Sequence, residues 1–582
     1  MLKLIKKFMG GSWLWAIAAP LFMLLEVMMD LMQPALMAEI IDIGVARGDV
    51  DFIFATGGRM LLYALIGVVG GLGSVVASCI AAVGFASRLR QQVFSHIQTF
   101  SFRELDKFQT SSLITRLTND VTQLQQIVRL ALRLMIRSPL TCIGSIIMAY
   151  RLSPALSMIL VAAAPVLLGG TYFLIKRVMP LFMTMQTKVD RINVVMRENL
   201  LGAKVVKSFV SQDHEQKRFG NANRDLMEWS TKAMGNMALL SPLVNLVMNL
   251  SVVAALWFGG SMAIAGNLET GKIMAFINYL IQIMSSMMMV IMVSMGFTRA
   301  QVAVQRLNEV LDTESGIKDG GFEEAGSPAR GDGYDIVFED VCFRHEQGGQ
   351  WILKNINIEI KEGETVGIIG PTGSGKSTLV SLIPRLYNAT RGRVLVGGRD
   401  VRQYPLAALR NKIGMVLQES ILFSGSLEEN LRYGKEEATG EELEAAVRDA
   451  QALDFISEKE GAFAARVEQR GRNFSGGQKQ RLSIARTLLR QPQILILDDA
   501  ASAVDTLTEA KIRQAILRRM GSCTLIIIAQ RIAAIRDADL ILVLNDGAVE
   551  ARGTHEELLL NSETYRHVAA AQLGEEVLPH VG

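Results

Sequence analysis

Residues Gly370-Pro371-Thr372-Gly373-Ser374-Gly375-Lys376-Ser377-Thr378 fit the pattern G-x-x-x-x-G-K-[ST]. The apolar run Thr365–Ile369 before them reads as a buried strand, and Ser377–Ile383 after them reads as the start of a helix. In that context the glycines let backbone N–H groups converge on phosphate oxygens, and the helix N-terminus adds positive potential. Lys376 is positioned to reach the β- and γ-phosphates and Ser377 to hold Mg²⁺. A chance glycine-rich turn would not carry Lys and Ser in this register behind a strand. This part of the chain is expected to bind ATP or GTP, in an α/β domain of the P-loop type.

The chain has 582 residues, too many for one domain. Half of it is hydrophobic and 20% is charged, with a mean hydropathy of +0.27. A membrane portion is expected. The 60 basic and 57 acidic residues nearly cancel, so the chain lacks the basic excess of a nucleic-acid binder. The cysteines Cys79, Cys142, Cys342 and Cys523 are scattered, without metal-ligand or disulfide spacing. They read as packed apolar residues, and the soluble part as facing a reducing compartment.

Six apolar stretches are long enough to cross a bilayer: about 13–45, 57–87, 128–150, 154–179, 237–265 and 272–300. The first could be mistaken for a signal peptide, with Lys3, Lys6 and Lys7 before an apolar run and Ala16-Ile17-Ala18 resembling a cleavage site. The run continues well past Ala18, so residues 1–11 read instead as a basic amphipathic segment on the inner membrane face. The connections at about 88–127 and 180–236 are long, charged and helical in pattern, and they open on Arg88, Arg90 and on Lys176, Arg177. By the positive-inside tendency, the N-terminus and both long connections face the cytoplasm.

Within the first span, Glu26 and Asp30 stand one helical turn apart. Intramembrane carboxylates face a bundle interior or a watery path. The pair reads either as a cation-attracting wall of a substrate path or as a structural pair. The sixth span carries Met284, Met288 and Met292 among other methionines. Methionine adapts to varied apolar ligands, although for any single residue ordinary packing is the simpler reading. From Asp312 to Gly333, glycines and acids without apolar periodicity read as a linker. The expected organisation is an all-α membrane domain over 1–311, a linker over 312–333 and an α/β nucleotide domain over 334–582.

Ile494–Asp498 is an apolar strand ending in an acid that suits Mg²⁺, held directly or through water. Asn473-Phe474-Ser475-Gly476-Gly477-Gln478 precedes a helical run, which makes a second anion site at a helix start. A single γ-phosphate cannot easily sit at both within one chain. Ser475–Gln478 together with the two phosphate and Mg²⁺ motifs resembles an ATP-binding cassette (ABC) transporter, and the six-span half is similar to the exporter type. The resemblance covers nearly the whole chain. It implies two cassettes dimerised head to tail, with ATP between one chain's phosphate loop and the other chain's Ser475–Gln478. With one cassette and six spans, this chain resembles half a transporter and requires a second half.

The resemblance also assigns roles by position. His345 takes the place of the adenine-stacking aromatic residue, and Gln418 the glutamine that senses Mg²⁺. Ser502–Asp505 corresponds to the loop named for its aspartate, and Glu468–Gly471 to the exporter loop ahead of the family's signature, here Ser475–Gln478. Phe102–Thr110 and Lys207–Phe219 take the places of two coupling helices. Three positions depart from the family. Asp499 stands where exporters usually carry a Glu general base, Gln530 at the switch position where they carry a His that touches the γ-phosphate, and His345 where they carry Tyr. A base one methylene short loses part of the roughly 10²–10⁴-fold that a positioned base supplies. Beside an intact signature, these departures imply a slow site in this chain and a competent site completed for a partner.

The expectation is therefore one half of a heterodimeric multidrug-type exporter in a bacterial inner membrane. It would use ATP and Mg²⁺ and move small amphipathic compounds among membrane lipids. A homodimeric lipid or peptide exporter and an ATP-gated channel or regulatory subunit stay open.

Overall fold

The computed structural model describes residues 2–320, 333–345, 349–500 and 504–573, with the side chains of Leu2, Lys3 and 290–299 outside the description. Two compact units make up the chain: Met1–Gln98 with Thr110–Asp312, and Thr99–Gln109 with Thr313–Gly582. The segment Thr99–Gln109 thus groups with the nucleotide domain rather than with the 1–311 domain expected from sequence. Most of the expected linker, 321–332, lies outside the described residues.

The first unit is helical. Its elements are α1 (Leu2–Phe8), α2 (Trp13–Glu39) and α3 (Val50–Gln98), then, after the inserted α4 (Phe102–Phe108), α5 (Thr110–Thr115) and α6 (Val121–Leu152). They continue with α7 (Pro154–Leu201), α8 (Ala203–Ser208), α9 (Gln212–Ala238), α10 (Leu240–Ile264) and α11 (Thr270–Leu311). Six segments among the described residues are long and apolar enough to cross a membrane. Several far exceed the roughly 20 residues that a bilayer needs, as in the 49 residues of α3. Small residues run along the buried face of α3 at Gly67, Gly70, Ser74, Ala77, Ser78, Ala81 and Ala82. They let helix backbones approach closely, which replaces the hydrophobic drive that lipid removes. A Cβ on Gly70 would come within 2.9 Å of the Glu26 backbone nitrogen and the Phe22 carbonyl oxygen of α2.

Phe209–Ser211 interrupts the expected second coupling helix. A six-residue helix, α8, comes first and Gln212 opens α9, so Lys207–Phe219 is not one helix. The local cause is Val210, whose φ of 52° cannot continue a right-handed helix. Val205, Phe209 and Val210 are left 60–80% exposed.

The second unit holds α4 and the nucleotide domain. In the latter, β1 (Ile336–Phe343), β2 (Leu353–Ile360), β3 (Thr365–Ile369), α12 (Lys376–Ser381), β4 (Arg391–Val396) and β5 (Arg399–Asp400) come first. Then come α13 (Leu406–Lys412), β6 (Ile413–Val416), β7 (Gly425–Ser426) and α14 (Leu427–Arg432). Next are α15 (Gly440–Asp449), α16 (Leu453–Ser457), β8 (Arg466–Val467), α17 (Gly476–Leu488), β9 (Ile494–Asp498) and α18 (Thr506–Arg519). The last are β10 (Thr524–Ile528), β11 (Leu540–Asn545), β12 (Ala548–Gly553), α19 (His555–Asn561) and α20 (Glu563–Leu573).

The central sheet runs β12-β11-β3-β10-β9-β6. It is parallel except for the β11–β12 pairing. Apart from the edge strand β12, its strands are largely buried on both faces, which is why they read as continuous apolar runs. Val366, Ile368, Ile494, Ile496, Ile526 and Ile528 pack toward the antiparallel sheet β2-β1-β4-β5. The alternate residues Ile369, Leu495, Leu525 and Ile527 pack toward the helices. The sheet's register brings the C-terminal ends of β3, β9 and β10 side by side, with Ile528 opposite both Ile368 and Asp498.

Candidate functional site

At those strand ends the phosphate loop leads into α12. Gly373 and Gly375 hold φ of 84° and 96°, a left-handed conformation that glycine adopts without a Cβ penalty. A Cβ on Gly375 would also lie 2.8 Å from Leu353 Cδ2. Lys376 Nζ donates to the carbonyls of Gly370 at 2.9 Å and Pro371 at 2.8 Å, so the ammonium lies over the loop. Burial lowers its pKa, while the carboxylates of Asp498 and Asp499 pull the other way. Ser377 Oγ donates to Asp498 Oδ1 at 2.9 Å, across 121 residues of sequence. Burial raises the Asp498 carboxyl, against that hydroxyl.

The cleft, of about 390 Å³, is lined by Thr372, Gly373, Gly375, Lys376, Ser377, Thr378, Gln418, Asp498, Asp499 and Gln530, together with Ile352 and Ile528. Asp499 stands at φ 50°, a left-handed conformation that Asp tolerates better than most residues. Gln530 Nε2 donates to Asp499 Oδ2 at 3.0 Å. Burial raises the Asp499 carboxyl, while this bond, Lys376 and Arg531 lower it. Two of the three departing positions are therefore bonded to each other. Ser374 Oγ, within the loop, is buried without a hydrogen-bond partner.

His345, expected to stack on adenine, does not line the phosphate cleft. Its ring packs edge-on to Phe343 (5.1 Å) and Tyr387 (5.4 Å). It lines a separate cleft of about 180 Å³ with Ser101, Asn388 and Thr390. Ile352 flanks the phosphate cleft instead. The physical reason is the aromatic cluster around Tyr387, which the sequence reading missed. Tyr387 also packs on Phe102 of α4 at 6.0 Å and donates its hydroxyl to Asp106 Oδ2 at 3.0 Å. Burial, then the Asp106 carboxylate, push the phenol up to about 12. A capping box between Ser101 and Glu104 starts α4, and Gln109 at φ 52° ends it one residue before the expected Thr110.

Ser475, Gly476, Gly477 and Gln478 open α17. Ser475 is the N-cap: its Oγ accepts from the Gln478 N–H at 3.3 Å, and Gln478 Oε1 accepts from the Ser475 N–H at 3.0 Å. These residues line no part of the phosphate cleft described for the same chain. In the loop after Asp499, residues 501–503 lie outside the described residues, while Asp505 caps α18 by accepting from Thr508 N–H at 2.9 Å.

In the helical unit, Arg137 of α6 bridges the two carboxylates of α2. Its Nη1 is 2.7 Å from Glu26 Oε1 and its Nη2 is 3.0 Å from Asp30 Oδ2. The pair is a partnered triad rather than a bare acidic wall. Met284 is 1% exposed and packed into the helical core with Tyr279, Leu280 and Ile283, and Met288 is partly buried against that core. The proposed methionine stripe therefore faces the interior at Met284, because a 3.6-residue period brings it round to the face that packs against neighbouring helices. The side chain of Met292 lies outside the described residues.

The model of the ABC transporter transmembrane region matches residues 16–287, and the ABC transporter model matches residues 353–502. The chain belongs to the ABC transporter family. It is 38% identical over 96% of its length, and 96% of the relative's, to the uncharacterized ABC transporter ATP-binding protein YfiB of Bacillus subtilis. It is 33% identical over 83% of each chain to the putative multidrug export ATP-binding/permease protein YgaD of the same organism. It is 30% identical over 96% of its length, and 95% of the relative's, to the ATP-dependent lipid A-core flippase of Vibrio parahaemolyticus. A solved structure of a bacterial Atm1-family ABC exporter with ATP bound superposes with a TM-score of 0.77. It covers 96% of this chain and 98% of that one at 25% identity. This ABC transporter is thus a multi-pass membrane protein with a six-helix exporter-type membrane region and an ATP-hydrolysing cassette.

Proposed function

We propose that this ABC transporter is one half of a heterodimeric exporter of small amphipathic compounds, with a slow ATP site of its own. The observation that carries the reading is the hydrogen bond between Gln530 and Asp499. The carboxylate that would take a proton from the attacking water is short and held by an amide. That amide occupies the switch position and cannot carry a proton charge. The same chain presents an intact Ser475–Gln478 helix start away from its own phosphate cleft, which suits a nucleotide bound by another cassette. The exposed apolar residues Val205, Phe209 and Val210 suit a partner surface in the same way.

The donors near the phosphates fit Mg²⁺. Ser377 Oγ and Asp498 Oδ1 are adjacent hard oxygen ligands, and Gln418 lines the same cleft. Among the described residues no group of three or more His, Cys, Asp or Glu is placed to hold a metal. That suits an ion that keeps waters and phosphate oxygens as most of its ligands. Bound there, Mg²⁺ would neutralise phosphate charge. The chain's own part is to seat the phosphates on Gly370–Thr378, hold charge with Lys376 and keep Asp499 engaged with Gln530.

Amphipathic cargo, of the multidrug or lipid type, is supported by the names of the YgaD and flippase relatives, a putative multidrug exporter and a lipid A-core flippase. We place the protein in a bacterial inner membrane with α1 and the cassette cytoplasmic, on the basic residues of α1 and of the two long connections. A homodimeric lipid exporter is the second reading, favoured by the flippase relative.

Purified alone, the protein is expected to hydrolyse ATP at no more than about a hundredth of the rate of the complex with its partner, the loss of one positioned base. Robust ATPase from the lone chain would overturn the heterodimer. Tyr387→Phe removes the hydroxyl that ties the cassette to α4. It is expected to leave ATP affinity unchanged and to lower substrate-stimulated ATPase by about fivefold, the worth of one hydrogen bond. Equal loss of basal and stimulated rates would refute a coupling role for that contact.

A further inference from the structure

The switch residue Gln530 is exposed, whereas Ile532 two positions on is fully buried. Between these two states the loop is gripped from outside by one side chain. Gln572 of α20 donates from Nε2 to the Gln530 carbonyl at 2.7 Å. Its Oε1 accepts from the Ile532 N–H at 2.8 Å. Both polar ends of a single amide are thus spent on the backbone of the switch. The amide is carried by a helix whose own seat is firm, since Tyr565 and Ala569 are 0% and 1% exposed.

Past Ile532 the loop packs into the cassette core, with Ala534 and Ile535 buried. A cavity of about 580 Å³ lies against it, lined among others by Asp499, Ala500, Gln530, Arg531 and Gln572. Gln530 and Arg531, exposed and bordering that cavity, are the part of the loop that close packing does not hold, so directional bonds decide where they sit. On its inner side the Gln530 amide reaches Asp499, and the Asp499 N–H in turn donates to the Ile528 carbonyl at 3.1 Å. A continuous path of bonds therefore runs from α20, through the switch backbone, to the carboxylate beside the phosphate loop.

We infer that Gln572 is a positioning residue for the ATP site: it sets the switch backbone so that the Gln530 side chain stays in the phosphate cleft. It touches no nucleotide itself, since it lines the cavity behind the loop and not the cleft. The inference needs ATP in the cleft and holds for a homodimer or a heterodimer alike. It makes α20 part of the machinery that distinguishes ATP from ADP, because Gln530 lines the same cleft as Lys376, the residue positioned for the β- and γ-phosphates.

The test uses the full-length transporter, with its partner where one is required. Labelled 2-azido-ATP or 2-azido-ADP is bound, chased with unlabelled nucleotide, and crosslinked to this chain at set times. Gln572→Ala is expected to release ATP from this chain roughly tenfold faster and to leave ADP release unchanged. Gln572→Glu keeps the acceptor for Ile532 and loses the donor to Gln530, so it should fall between the two. Hydrogen exchange of the peptide over 529–535 should quicken by a similar factor, with peptides over β9 and β11 unchanged. Equal acceleration of ATP and ADP release would reduce Gln572 to a structural residue. Unchanged exchange at the switch, or unchanged ATP release, would overturn the inference.

Discussion

Replacing Asp499 with Glu and Gln530 with His together is expected to raise ATP turnover at this chain's own site by about 10²-fold, the lower end of what a positioned base supplies. In the present structure the Asp499 carboxylate is bonded to the Gln530 amide, so the two groups satisfy each other rather than a water. A longer carboxylate restores reach, and an imidazole at 530 supplies a group that titrates in the physiological range. The gain should stop short of the upper end, because residue 499 sits at φ 50°, where Glu is less comfortable than Asp. The measurement is vanadate-trapped azido-nucleotide crosslinked to this chain. In the assembled complex, total turnover should respond less to this double change than to loss of the partner's catalytic carboxylate. Unchanged trapping on this chain, or a larger effect on the total than the partner change produces, would contradict the assigned division of labour.

Arg137→Ala is expected to destabilise the membrane region by about 3 kcal/mol, enough to lower the yield of folded protein severalfold. Glu26 is 9% exposed, and its Oε1 depends on Arg137 while Oε2 has no partner. Removing the guanidinium leaves an uncompensated carboxylate between packed helices, a position reinforced by Gly71, where a Cβ would lie 3.2 Å from the Glu26 carboxyl carbon. The sign of the effect can be checked by compensation. Adding Glu26→Gln to Arg137→Ala should recover most of the loss, because a neutral amide no longer needs the cation. Asp30→Asn should recover less, since the Asp30 side chain is 44% exposed. Thermal unfolding of the purified protein in detergent reads all three. A double variant no more stable than Arg137→Ala would show that packing, not charge, makes this site sensitive.

The elements that could be read in advance share one property: their demands are local. Each of Gly373 and Gly375 needs a left-handed backbone within the phosphate loop, and Lys376 and Ser377 follow within the same turn, so nine consecutive residues carried the reading. Strand β9 is buried on both faces, and its apolar run followed by Asp498 stands out without any knowledge of its neighbours. The N-cap at Ser475 is a four-residue pattern. The membrane spans follow from length and composition, which the bilayer sets.

What needed the tertiary structure depends on which faces meet. Arg137 reaches Asp30 across 107 residues, and Gln572 reaches Gln530 across 42. No local pattern announces either, because a salt bridge or a clamp is defined by the packing of elements far apart in the chain. The face of α11 that carries Met284 is buried for the same reason. His345 turned to Tyr387 because an aromatic neighbour from beyond α12 was there to receive it. Sequence by itself determined that this chain threads a membrane and ends in a nucleotide-binding cassette, since those features rest on backbone conformation and transfer from water. The tertiary structure decided how the cassette's catalytic positions are occupied: Asp499 is held by Gln530, and Gln530 is held from behind by a helix at the end of the chain.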